Sequence, residues 1–236
     1  MRMKIQKYAD FGTSSPWFAR INDINYILEP IFLFRTRPSS DDIKNAEIKK
    51  EKLNNIKFEV IKELGKAYLS LDTLKNKSKN LPQLNIENEY NNIYESLWRA
   101  YKDRSLLFIK NLDYDIGFMF KNDKDFRKDG LIFIKNNNVD DKFLDLIEEK
   151  RITWQNELSD FRNNFLDHLK TDKSLQYQHF YTIKNVELVF DHVWKSIEDI
   201  WIILIKSYYP LNFDLREIPK DKRDKNNPIK FEIINI

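Results

Sequence analysis

The chain contains no cysteine, and only 3 histidines, 4 glycines and 7 prolines among its 236 residues. Without thiols there can be no disulfide scaffold, zinc finger, iron–sulfur cluster or thiol catalysis. Three scattered histidines leave little for a transition-metal site, so neither a metal nor a cofactor is expected. Four glycines cannot supply the positive-φ turns and close phosphate approaches of a doubly wound nucleotide fold, and neither GxGxxG nor GxxxxGK(S/T) occurs. Long apolar runs are missing too. The longest, Ile200-Trp201-Ile202-Ile203-Leu204-Ile205, falls far below the roughly 18–20 residues a bilayer span needs. The first residues, Met1-Arg2-Met3-Lys4-Ile5-Gln6-Lys7, carry charge without an apolar secretion core. A cytoplasmic protein with no membrane partner is expected. Charge of one sign is also lacking: 40 Lys+Arg stand against 37 Asp+Glu, a formal net of +3. That balance neither demands nor excludes a polyanionic partner.

What is present is core-forming material, 42% hydrophobic and 14% aromatic. That is enough for one folded domain over residues 1–236. Ser15-Pro16 reads as an N-cap followed by proline at the first helical position, opening a helix over 16–33. Ser40, with Asp41 and Asp42 behind it, opens a long second helix over 41–78. Its stripe of Ile56, Val60, Leu64, Tyr68 (or Ala67), Leu71 and Leu74 advances by threes and fours. Further helices are predicted over 87–110, 139–170 and 183–208. Between the third and fourth, residues 111–138 read as a small irregular or hairpin insertion, with Asp129-Gly130 as its turn. Residues 210–236 read as an extended tail whose end, Lys230-Phe231-Glu232-Ile233-Ile234, has the pattern of an edge strand. The fold class predicted is all-α, an antiparallel helical bundle.

The fourth predicted helix carries the chemistry. Trp154, Leu158, Phe161, Phe165 and Leu169 form its core stripe, interrupted by Asp160, Arg162, Asn163, Asn164, Asp167 and His168. Two consecutive asparagines are locally unfavourable in a helix, because their amides compete for backbone hydrogen bonds. A local break in sequence logic of this kind often marks a functional site. His168 follows Phe161 and Trp154 by seven and fourteen residues and continues their face. Arg162 lies about 120° away around the helix, within the swing of a long side chain. Imidazole exchanges a proton near neutral pH, and guanidinium binds phosphate with two donors. Together they suit metal-free RNA cleavage.

Arg162-Asn163-x-x-x-x-His168 in an all-helical chain resembles the HEPN superfamily signature, an arginine and a polar residue followed by histidine after four to six positions. The resemblance implies a helical bundle and a metal-independent endoribonuclease. It further implies a homodimer with a composite site, acting as a toxin with a cognate antitoxin or in antiviral defence. It gives Arg162 and His168 as the catalytic pair and Asn163, Asn164 and Asp160 as supporting residues. Lys170 and Lys173, just beyond the motif, are candidates for guiding the RNA backbone. Tyr177, His179 and Tyr181 either stack a base or pack the connection to the next helix.

The blander alternatives are a core or interface role for His168 and an ion pair for Arg162, along its own helix or with the next one. In functional terms the alternative is a non-catalytic helical module that binds a protein or nucleotide. Gly12-Thr13-Ser14 followed by Asp23-Ile24-Asn25 imitates a nucleotidyltransferase pattern, but it lacks the second carboxylate that two-metal chemistry requires.

Overall fold

In the computed structural model, the structure describes residues 40–77, 81–163, 175–208, 213–217, 219–222 and 231–235. The predicted helix over 16–33 lies outside them. The chain divides into two compact units, residues 55–207 and residues 1–54 with 208–236.

The larger unit is all-α. Helix α1 (Ser40–Lys77) crosses the division along the chain. Within the larger unit it buries Ile56, Val60, Leu64, Ala67, Leu71 and Leu74, the predicted stripe with Ala67 rather than Tyr68 at its fourth position. Helix α2 (Gln83–Trp98) starts four residues earlier than predicted, behind Pro82, which also lacks the amide hydrogen a helix start leaves unused. It continues through a π-helical stretch, Arg99–Ser105, into α3 (Leu106–Lys110). Helix α7 (Ile183–Tyr208) has the predicted bounds and buries Val186, Val189, Phe190, Val193, Ile197, Ile200 and Leu204 along one stripe. No helix among the described residues is long and apolar enough to cross a membrane.

Residues 111–138 depart from the expected hairpin. The first part is irregular, ending in a 3-10 turn at Gly117–Phe120. The second is a helix, α4 (Asp123–Asn137). Asn122 caps it by accepting from the Asp125 amide, and Asn138 ends it in the left-handed conformation at φ 52°. Asp129-Gly130 is therefore no turn. Gly130 is buried mid-helix, and a Cβ there would run into the Leu144 side chain and lie 3.1 Å from Phe118. The glycine marks a close approach of α4 to α5 (Lys142–Lys150), the other cause of an isolated glycine in a patterned segment.

Helix α5 passes through a second π-helical stretch, Arg151–Gln155, into α6 (Asn156–Phe161). Two buried polar residues of that stretch hold the irregular segment. Arg151 donates to the Met119 carbonyl at 2.6 Å and to Asp123 at 2.7 Å, with its guanidinium 4.5 Å from the Phe126 ring centroid. Gln155 donates to the same carbonyl at 2.8 Å and accepts from the Tyr101 hydroxyl at 2.9 Å. A backbone carbonyl inside the unit thus gains two partners, as buried polar groups require. The predicted helix over 139–170 appears as α5, the π stretch and α6. Its residues 164–170 lie outside the described residues.

The smaller unit carries a two-stranded antiparallel sheet in the predicted tail. Strand β1 (Phe213–Glu217) pairs with β2 (Phe231–Asn235), Phe213 opposite Asn235 and Glu217 opposite Phe231. The sequence pattern at the end of the chain marks β2, but nothing in it marks the partner.

Candidate functional site

The C-terminal end of α6 inherits its orientation from the apolar residues beneath it. Trp154, Leu158 and Phe161 are buried, which turns Asp160 and Asn163 to the surface. Phe161 anchors this end. It stacks on Phe180 with centroids 4.1 Å apart and planes 3° from parallel, and meets Tyr94 edge to face at 5.3 Å. Phe180 belongs to a 3-10 segment, Leu175–Tyr181, that leads into α7. Tyr94 fixes that segment by donating to the Phe180 carbonyl at 2.7 Å. Asn185 in turn donates to the Tyr94 hydroxyl at 3.3 Å. Burial pushes the Tyr94 phenol well above its ordinary value, so this hydroxyl holds structure and does not exchange protons near neutrality.

On this aromatic floor sits a polar cluster. Asn91, Glu95 and Arg99 follow one another at four-residue spacing on α2 and its π extension, along one face. Arg99 donates to Glu95 Oε1 from Nε at 2.9 Å and from Nη2 at 2.8 Å. Arg162, from the end of the other helix, places Nε 3.4 Å from Glu95 Oε2. One carboxylate thus holds two guanidiniums, each on its own oxygen. The side chains of Arg162, Glu95 and Arg99 are 24%, 28% and 50% exposed, so the cluster is open to solvent. One turn earlier, Asn91 Oδ1 accepts from the Tyr181 hydroxyl at 3.2 Å.

The sequence-predicted site residues fare differently. Arg162 reaches across to Glu95 on an earlier helix, an ion pair of the inter-helix kind but not with the next helix, which was the alternative foreseen. Asp160 and Asn163 are exposed. Asn164, Asp167, His168, Lys170 and Lys173 lie outside the described residues. Tyr177 and Tyr181 pack the connection. Their rings lie 5.8 Å and 6.1 Å from Phe161, and Tyr181 also meets Tyr90 edge to face at 5.7 Å. His179 is half-exposed and places Nε2 2.9 Å from Glu157 Oε1. Sequence reasoning missed Glu95 and Arg99. Their i, i+4 spacing was visible, but nothing in the sequence linked them to a residue more than sixty positions away. Among the described residues, no group of three His, Asp or Glu side chains gathers as a metal site.

Chemically, the cluster offers two planar cationic forks at a solvent-open surface, with one carboxylate between them. Such forks recognise carboxylates and phosphates by the same bidentate geometry. No protein-family model matches the chain, and no curated protein or solved structure matches it either.

Proposed function

We propose that the chain is a metal-independent endoribonuclease of HEPN type, with Arg162 and His168 as its catalytic pair, acting as a homodimer in a toxin–antitoxin or antiviral setting. The observation that carries this reading is the Arg162-Asn163-x-x-x-x-His168 motif in the sequence, whose arginine lies at a solvent-open surface beside a second arginine. The all-α class of the larger unit supports it as well.

In the proposed reaction the imidazole of His168 takes the proton of a ribose 2′-hydroxyl as that oxygen attacks the adjacent phosphorus. The bond from phosphorus to the 5′-oxygen breaks, and the leaving oxygen takes a proton from water. Arg162 offsets the charge that builds on the phosphoryl oxygens. The products are a 2′,3′-cyclic phosphate and a 5′-hydroxyl. Asn163, Asn164 and Asp160 support the pair, while Lys170 and Lys173 guide the backbone.

The test is incubation of the protein with RNA in excess chelator, with end-group analysis of the products. Cyclic phosphate ends are expected, with DNA spared for want of the 2′-hydroxyl. His168→Ala should slow cleavage by about 10²–10⁴-fold. A His168→Ala protein that cuts like wild type would remove the catalytic assignment. Absence of cleavage by wild type would leave the non-catalytic binding module.

A further inference from the structure

Glu95 occupies a position that another anion fits. Its two oxygens each accept from a different arginine, and those arginines come from different helices. A phosphodiester presents the same pattern, two non-bridging oxygens sharing one negative charge. Guanidinium forks take either group.

The ion pairs contribute little to the fold. All three side chains are partly exposed, and solvent-screened pairs of that kind are typically worth little. A carboxylate that keeps two arginines extended and close together, at little gain in stability, acts as a stand-in for a ligand.

We propose that Arg99 and Arg162 form a phosphate-binding subsite for single-stranded RNA, and that Glu95 fills it until the RNA backbone displaces the carboxylate into solvent. The identity of the ligand rests on the nuclease reading above; the two-arginine geometry does not. Arg99 belongs to no part of the motif and enters only through the fold. Its role is to bind substrate phosphate beside Arg162. Glu95 plays two parts, holding the forks in place while the site is empty and competing with RNA for them. Glu95 is partly exposed, so a change of rotamer can turn its carboxylate toward solvent.

The experiment measures binding of a short single-stranded oligoribonucleotide carrying 2′-methoxy groups throughout, which cannot supply the attacking hydroxyl. Affinity is recorded across a salt series for wild type, Arg99→Ala, Arg99→Lys and Glu95→Gln, with thermal melts to show that each variant is folded. Arg99→Ala should bind roughly tenfold more weakly. Its log–log salt slope should be shallower by about 0.7, the loss of one phosphate contact on a single strand. Arg99→Lys should keep the slope and recover part of the affinity, because charge is retained and the fork is lost. Glu95→Gln should bind several-fold more tightly, because the competing charge is gone. Unchanged affinity and slope in Arg99→Ala, or weaker binding by a folded Glu95→Gln, overturns the subsite. A wild type that cuts no RNA but shows the expected slopes supports the subsite and overturns the cleavage reading alone.

Discussion

The indole N–H of Trp201 on α7 donates to the hydroxyl of Ser105, the last residue of the first π-helical stretch, at 2.8 Å. Both residues are buried, and the Trp201 ring stacks on Phe108 with centroids 3.8 Å apart. Ser105→Ala removes the acceptor and leaves the indole N–H inside the core without this partner. The expected loss is about 1–3 kcal/mol of unfolding free energy. Urea denaturation followed by tryptophan fluorescence reads it directly. A loss within experimental error would mean that the indole finds another acceptor.

At Gly130 the usual gain of a glycine-to-alanine change is set against a side-chain clash. In an open helix, alanine gains about 1 kcal/mol over glycine. Here the new methyl group meets the Leu144 side chain, with Phe118 close behind. Forcing an extra methyl into a packed contact costs about 1–3 kcal/mol. Gly130→Ala should therefore destabilise the protein. In a Leu144→Ala background the same change should become stabilising. A double-mutant cycle by thermal or urea unfolding checks this, and additive effects would show that the two positions do not touch.

Lys57 on α1 is 2% exposed, and burial pulls its ammonium down to about 8 from an ordinary value of 10.5. The folded pKa is therefore the lower of the two. Below pH 8 both states are protonated and the desolvation cost is fully present. Between pH 8 and 10.5 the unfolded chain keeps a proton that the folded chain has shed, so stability rises with pH. Tyr94 and Tyr101 are pushed upward by burial, so they act in the opposite direction above pH 10 and confine the clean window to roughly pH 8–9.5. Lys57→Met should gain on the order of 2–3 kcal/mol at pH 7 and lose the rise across that window. Urea unfolding of both proteins at several pH values measures the effect. A variant no more stable at pH 7, or one with the same rise, would refute it.

Much of the helical architecture was legible because burial imposes a period. Val186, Val193, Ile197, Ile200 and Leu204 could share a face only on a helix, and all are buried. Asp129-Gly130 misled because a glycine looks alike in a turn and at a tight helix crossing. Leu144, the residue that explains it, lies on the next helix. The π-helical stretches left no local mark. Tyr101 and Gln155 are ordinary helix residues until each becomes the other's partner. At the candidate site the motif brought out Arg162, whereas Glu95 and Arg99 became visible only once Phe161 and Phe180 had stacked and set α6 beside α2.

The wide turn between Arg99 and Ser105 works as a phase shift within a single rod. Each residue of a helix advances the side-chain direction by about 100°. Trp98 on one side of the turn and Phe108 on the other are both buried. Shortening that turn by one residue would leave the helix intact but rotate everything beyond it by more than a quarter circle, taking Ser105 away from Trp201. Insertions and deletions should thus be poorly tolerated here.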